Sequence, residues 1–455
     1  MNARNQAAVP ENLTRELAAL IVGSRFDALP AKVVHEGKRA LLNIVGCALG
    51  GCRHPAFEIA LGALGPYAGQ PLAQVIGRPE RFDPLFAALL NGISSHVHDY
   101  DDTTPDNYIH NSSPVASALF AYASCHPVSG ADLLHAFIVG FEVSSLIGTA
   151  TYPAHYAAGW HSTGSIGVFG AAAAIGLLRG LSAGQMTHAL GLAATQSSGL
   201  REMFGSMAKS FHPGRAAQGG YTAALLAERG FTAGTHGLEG PRGFAPVTCA
   251  SFDLAKVTDA FGKTFELLRN TYKPFPCGIV THPTIDACIQ LQREHALSAE
   301  QIVAVRLTVA PLVKDLCNKQ HIDTGLEGKF SIYHGAAIGL ARGRAGLAEF
   351  TDETVRDPAL VRLRNLTEAL GDARISEDAV DVEVRLADGR VLHTLLEQSL
   401  GNLARPMSDA QLEAKLYGQT EVLTQDAARR VVELCWSVER LDDARTLIDA
   451  AVPPH

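Results

Sequence analysis

From Leu13 to about Leu226, apolar residues recur three and four positions apart, in segments of helical length separated by glycine, proline and capping residues. That spacing predicts a half-chain made of helices. Ser129 with Asp132, and Ser182 with Gln185, have capping-box spacing, in which a hydroxyl and a side chain three residues on satisfy free amide donors. In GSIGVFGAAAAIGLL, small residues such as Gly167, Gly170 and Ala174 let neighbouring helices approach closely. Its shortness and Gly/Ala content predict a buried helix rather than a membrane span. GFTAGTHGLEGPRG, residues 230–243, has five glycines. At about 1 kcal/mol for each glycine in a helix interior it is expected to be a loop, and a candidate hinge approach.

After about Lys263 the period changes. IVAVRLTVA sets Val303, Val305, Leu307 and Val309 against Ala304, Arg306 and Thr308. VDVEVRLADGRVLHT alternates likewise around Asp388-Gly389, a hairpin signal. Helical spacing returns after Ser408, which with Gln411 makes another capping box, and Leu412, Leu416, Leu423 and Val431 fall at core positions. The expected fold is therefore mainly α. A large all-helical domain is formed by residues 1–265 with 405–455, and a smaller α+β lid domain with an antiparallel sheet by 266–404.

Composition narrows the function more than the fold. A chain of 455 residues, 47% hydrophobic and 18% charged, supports two packed cores. A net charge of -8, with no block of like charge, argues against nucleic acid or an anionic membrane as a partner. Cys47, Cys52, Cys125, Cys249, Cys277, Cys288, Cys317 and Cys435 contain no CxxC pair, so reduced, buried thiols are expected rather than a zinc site or a disulfide framework. MNARNQAAVPENLTREL lacks an apolar core of signal-peptide length, and a cytoplasmic protein is the expectation.

Four stretches could carry chemistry. HVHDYDDTTPDNYIH, residues 96–110, holds three histidines and four aspartates in a chain of otherwise low charge density. The helix opened by Asp83-Pro84 runs through Leu85, Leu89 and Ile93, and its spacing, if continued, brings His96, Asp99 and Thr103 round one side. Such residues can bind a divalent metal, or act without one as acid, base and orienting groups. The spacing matches no HExxH-type motif, which favours the metal-free version; a solvated helix end is the bland alternative. In GWHSTGSIG, His161 stands at the mouth of a helix whose free amides suit a carboxylate, or it merely caps and packs. In SMAKSFHPGRAA, Lys209, His212 and Arg215 surround Pro213, read as the first residue of a helix beside an anion pocket, or a solvated basic turn. YKPFPCGIVTHPTID places Tyr272, Lys273 and His282 among three prolines, as a site wall or a linker.

Taken together and in this order, HVHDYDDT, GWHSTGSIG, LEGPRGF, KPFPCG and RPMSDAQLEAKL resemble motifs of the MmgE/PrpD family over essentially the whole chain. The resemblance implies a helical domain completed by the C-terminal segment, a lid domain, a cleft between them, a homodimer, and no cofactor or metal. It implies Asp99, His110, His161, Lys209 and Tyr333 as catalytic residues, with Thr103 and Lys273 binding substrate. His96, His98, Asp101 and Asp102 then fall to helix-end, supporting or structural roles. Two departures stand out: Asn111 follows His110 where proline is usual, and Gly278 stands where the family's decarboxylases have a further histidine.

Chemistry common to the family is bond-breaking beside a carboxylate, where cations must meet developing enediolate charge. A lyase acting on a small di- or tricarboxylate is expected, a hydro-lyase of the 2-methylcitrate dehydratase kind first. An iminodisuccinate-type epimerase or a cis-aconitate-type decarboxylase is the alternative. Outside the family, a metallohydrolase or a non-catalytic carboxylate-binding protein would also fit the residues.

Overall fold

The computed structural model describes residues 11–453. The first ten residues of the stretch used to argue against a signal peptide lie outside them.

Helices α1 (Ala31–Gly51), α2 (Pro84–His96), α3 (Ser112–Ala123), α4 (Gly130–Thr151), α5 (Ser162–Leu178) and α6 (Ala208–Glu228) pack on one another as the first core. Asp83 caps α2, accepting from the amides of Leu85 and Phe86 at 3.1 Å. Ser182 with Gln185 and Ser408 with Gln411 form complete capping boxes. Ser129 forms half of one: it accepts from the Asp132 amide and donates its own hydroxyl to the Asp132 carboxylate. Helix α4 is long and apolar enough to cross a membrane, yet it is almost wholly buried inside this core. Residues 230–243 contain no helix or strand, as the glycines require.

Close backbone contact positions the site. A Cβ on Gly92 of α2 would stand 2.4 Å from the Cα of Gly214 in α6, so only glycine at both places lets these helices touch. His96 follows Gly92 by one turn and Lys209 precedes Gly214 by little more, and the contact brings the two side chains together. Pro213 lies inside α6 rather than at its start. It has no N–H for the carbonyl four residues back, that of Lys209, a local cost accepted beside the site.

The second core gathers residues from Cys277 to Leu386, with Tyr108 and Tyr156 joining from the helical half. Its sheet has the order β4-β3-β5-β6, a numbering that counts the short pair β1 (Ala73–Gln74) and β2 (Arg81–Phe82) in the helical half. Strands β3 (Ile302–Val309), β5 (Val380–Leu386) and β6 (Val391–Leu396) are antiparallel neighbours, while β4 (Thr367–Gly371) adds to β3 in parallel. The β5–β6 turn is Asp388-Gly389, with Gly389 at φ +88°, where its lack of a Cβ is needed. The alternation expected of β3 fails at one residue. A bulge between Ile302 and Ala304 turns Ile302 into the core and leaves Val303 exposed. Beyond the sheet, Leu412, Leu416 and Val431 of the returning helices are buried in the first core, and Leu423 packs on its edge. All eight cysteines are free.

Candidate active site

The polar segment does not continue α2. The helix ends at His96, and Asp99 takes the left-handed region at φ +51°, so the spacing that placed Asp99 and Thr103 on one helical stripe does not hold. Backbone pairing fixes them instead. Thr103 and Thr271 exchange amide hydrogen bonds of 2.9 and 3.0 Å, which ties this segment to the one carrying Lys273. The amide of His110 donates to Thr163 in the first turn of α5, two residues after His161.

Charge converges on Asp99. Its Oδ1 accepts from Lys209 Nζ at 2.9 Å and from Lys273 Nζ at 2.7 Å. Lys273 also donates to the carbonyls of Asp99 and Cys277. Lys209 Nζ lies 2.8 Å from His96 Nε2, and His96 Nδ1 lies 2.8 Å from Asp101. His110 stands over the same pair, Nδ1 3.4 Å from Asp101 Oδ2 and 3.3 Å from Thr103 Oγ1, with Nε2 3.8 Å from Asp99. His161 Nδ1 pairs with His212 Nδ1 at 2.8 Å, and His161 Nε2 is buried with no partner among the described residues.

Burial alone would raise the Asp99 carboxyl, but Lys209 and Lys273 outweigh it and hold the group well below the usual carboxylate range. Burial pushes the His96 imidazole down to about 4, and lowers His110 and His161 as well, so these rings rest neutral. Lys209 is lowered by burial against the opposing pull of Asp99. Asp102 differs from its neighbours. Burial raises it to about 7, and its Oδ2 accepts from Ser112 and Asn270, bracing the segment from behind.

Asp99, Thr103, His110, His161, Lys209 and Lys273 line one cavity, with Phe204, Phe330, Gly278 and Cys317 among the other walls. Tyr333 does not line it. Its hydroxyl donates to Asn318 at 2.8 Å, within the second core. His98 turns away to the carbonyl of Gly50. Arg215 is exposed, Tyr272 donates to Glu36, and His282 is buried apart from the cavity, so neither proposed anion turn nor wall is complete as read. What residue-by-residue reading undervalued is the supporting layer: His96 and Asp101 behind Lys209 and His110, and His212 behind His161. The signal for His212 was present, since it falls three residues after Lys209 and so on the same side of a helix.

The donor set answers the metal alternative. Atoms of His96, Asp99, Asp101 and His110 lie close enough to surround an ion. Yet the Asp99 oxygen is shared by two ammonium groups, and Lys209 takes the free nitrogen of His96. A dication there would face two buried cations at contact distance, and these residues fit a hydrogen-bonded cluster better.

The cavity offers about 40 Å³, room for water but not for a six-carbon acid. Phe204 and Phe330 stack at 5.3 Å in its wall, and a separate cleft of about 1110 Å³ is lined by His98, Gly205 and Lys329 among others.

The family models described as MmgE/PrpD N-terminal domain and MmgE/PrpD C-terminal domain match residues 15–256 and 275–438. The chain belongs to the MmgE/PrpD family. Among curated members, cis-aconitate decarboxylase of Homo sapiens is 27% identical, covering 98% of this chain and 96% of its own length. Cis-aconitate decarboxylase of Aspergillus terreus is 26% identical over 96% of this chain and 95% of its own. The cis-aconitate decarboxylase-like protein oryM of Aspergillus oryzae is 26% identical over 97% and 98%. For this MmgE/PrpD protein, therefore, similarity extends through both cores.

Proposed function

We propose that this protein is a lyase that acts on a small polycarboxylic acid by acid-base chemistry without a metal, and that it releases carbon dioxide. The observation that carries the reading is the meeting of Lys209 and Lys273 on one oxygen of Asp99, beside the unpartnered Nε2 of His161. The curated relatives support decarboxylation over the dehydration that the sequence put first.

A carboxylate retained by the substrate binds at the two ammonium groups. As the neighbouring carbon–carbon bond breaks, its electron pair moves into the conjugated system and onto that carboxylate, and the lysines meet the added charge in a dry site. Carbon dioxide leaves. A proton must then reach carbon, and His161 is placed to give it when Nδ1 accepts from His212 and Nε2 carries the hydrogen. His110, held by Asp101 and Thr103, stands on the other side as the second acid-base group.

A panel of small di- and tricarboxylates in deuterated water, followed by NMR, tests this. Release of carbon dioxide with one deuteron incorporated on a carbon of the product is the expected result. Loss of water with no carbon dioxide would establish dehydration instead, and exchange with inversion alone would establish an epimerase.

A further inference from the structure

His161 and His212 meet through like nitrogens. Their Nδ1 atoms lie 2.8 Å apart, a hydrogen bond that needs a hydrogen on one ring and a lone pair on the other. His161 lines the cavity and its Nε2 has no partner among the described residues, whereas His212 is not part of the cavity wall. The outer ring belongs to a residue that keeps 8% of its surface exposed, against 1% for His161. It lies on the Ser198-Gly199 segment, where Ser198 is open to water.

Two glycines make room for the pair. A Cβ on Gly164 would stand 2.9 Å from His212 Cβ and 2.6 Å from the Ser198 carbonyl oxygen, and one on Gly199, at φ +114°, would stand 3.2 Å from the His212 ring. The Gly199 carbonyl accepts from the His161 amide at 3.1 Å, so one short segment seats both residues. The groups that face His161 are Lys209, His212, His96 and His110, and those that face His212 are His161, His96 and Lys209. Asp99 and Asp101 serve the lysines, His96 and His110 instead. Burial above all, with Lys209 adding to it, holds both rings neutral. A neutral imidazole has a single hydrogen, and His161 giving it up alone would be left as an anion away from water.

We infer that His212 is a proton relay: as His161 Nε2 gives its hydrogen to carbon, the hydrogen on His212 Nδ1 crosses to His161 Nδ1, and His212 Nε2 takes one from water. The inference rests on the proton-donor role of His161 in the proposed function. Both rings are neutral before and after the step. The electron pair at carbon forms the new C–H bond, the pair freed at His161 Nε2 stays there as a lone pair, and the water is left as hydroxide in the bulk. Once product has left and water reaches His161 Nε2, the hydrogens run back and the starting tautomers return. His212 touches no substrate and acts through His161, as a positioning residue.

His212→Asn separates relay from orientation, because its amide can still donate to His161 Nδ1 but cannot pass a hydrogen on. His161 must then become imidazolium before it gives a proton, a form that thins about ten-fold with each pH unit above its pKa. Turnover is followed as carbon dioxide release, on the acid that wild type consumes, from about pH 6.5 to about pH 8.5. The ratio of wild-type kcat to that of His212→Asn is expected to rise by about ten-fold per pH unit. A ratio that stays level, however large, assigns His212 to orientation alone; it overturns the relay and leaves the lyase reading standing. Neutron diffraction from deuterated wild-type crystals decides even where the variant fails to fold. Deuterium on His161 Nε2 and His212 Nδ1 is expected, and deuterium on His161 Nδ1 overturns the relay. Absence of carbon dioxide from every acid tried removes the proposed function, and the relay with it.

Discussion

Lys209 Nζ and His96 Nε2 lie 2.8 Å apart, and the direction of that hydrogen bond is fixed by Asp101 on the other side of the ring. Asp101 is a carboxylate, so His96 Nδ1 carries the hydrogen and gives it to Asp101; Nε2 is left as the acceptor that orients the ammonium. His96 thus acts through Lys209 and is a positioning residue.

His96→Leu removes that acceptor and is expected to lower kcat about a hundred-fold while changing KM much less, since a small misplacement of a catalytic group carries that kind of cost. His96→Gln, which restores an acceptor, is expected to recover most of the loss. Steady-state kinetics of the pair check this; equal damage in both variants would point to a purely structural role.

Tyr333 provides a contrast. Resemblance implied a catalytic tyrosine, but its hydroxyl is engaged with Asn318 outside the cavity. Tyr333→Phe is expected to keep kcat/KM within about two-fold of wild type. A loss of a hundred-fold would show that the walls close further on substrate and carry this hydroxyl inward.

Dialysis against a chelator is expected to leave turnover unchanged, because two ammonium groups already share the Asp99 oxygen and one of them takes the free nitrogen of His96, at the centre of the atoms that could surround an ion. Loss of activity restored by one divalent metal would reverse that conclusion.

Acid should destabilise the fold before carboxylates of ordinary pKa titrate. Burial pushes His54, His96, His155, His212 and His334 down to about 4, and His98 and His282 to about 3, from an ordinary value of 6.5. Between pH 6.5 and about 4 the unfolded chain takes up protons at these rings and the folded one does not, so stability falls as pH falls through that window. Asp102, raised to about 7, and Glu142, raised to about 8, push the other way over the same range, but they are fewer. Thermal unfolding from pH 7 to pH 5 is expected to show a steady fall in Tm; a flat profile would contradict the neutral burial of the histidines.

Much of this site was legible in the sequence, and the misses share a cause. The residue types, and the motifs in order, led to Asp99, Thr103, His110, His161, Lys209 and Lys273, which the fold brings to one cavity from distant segments. Periodicity found the helices and the β5–β6 hairpin because it reports burial along one element. It could not report what happens where an element stops. The left-handed Asp99, the bulge at Ile302 and Pro213 within α6 are all local departures set by tertiary contacts. His212 and Asp101 were undervalued for a related reason, since their roles exist only through a partner on another segment.

Lys209 carries the central claim, and removing it leaves no orphaned buried charge, because Asp99 keeps Lys273. The decisive measurement is kcat/KM of Lys209→Met on the acid that wild type turns over, taken alongside Tm. A loss of at least about a hundred-fold with Tm within a few degrees of wild type is expected for a cation that meets charge in the transition state. Activity within ten-fold of wild type would contradict the account.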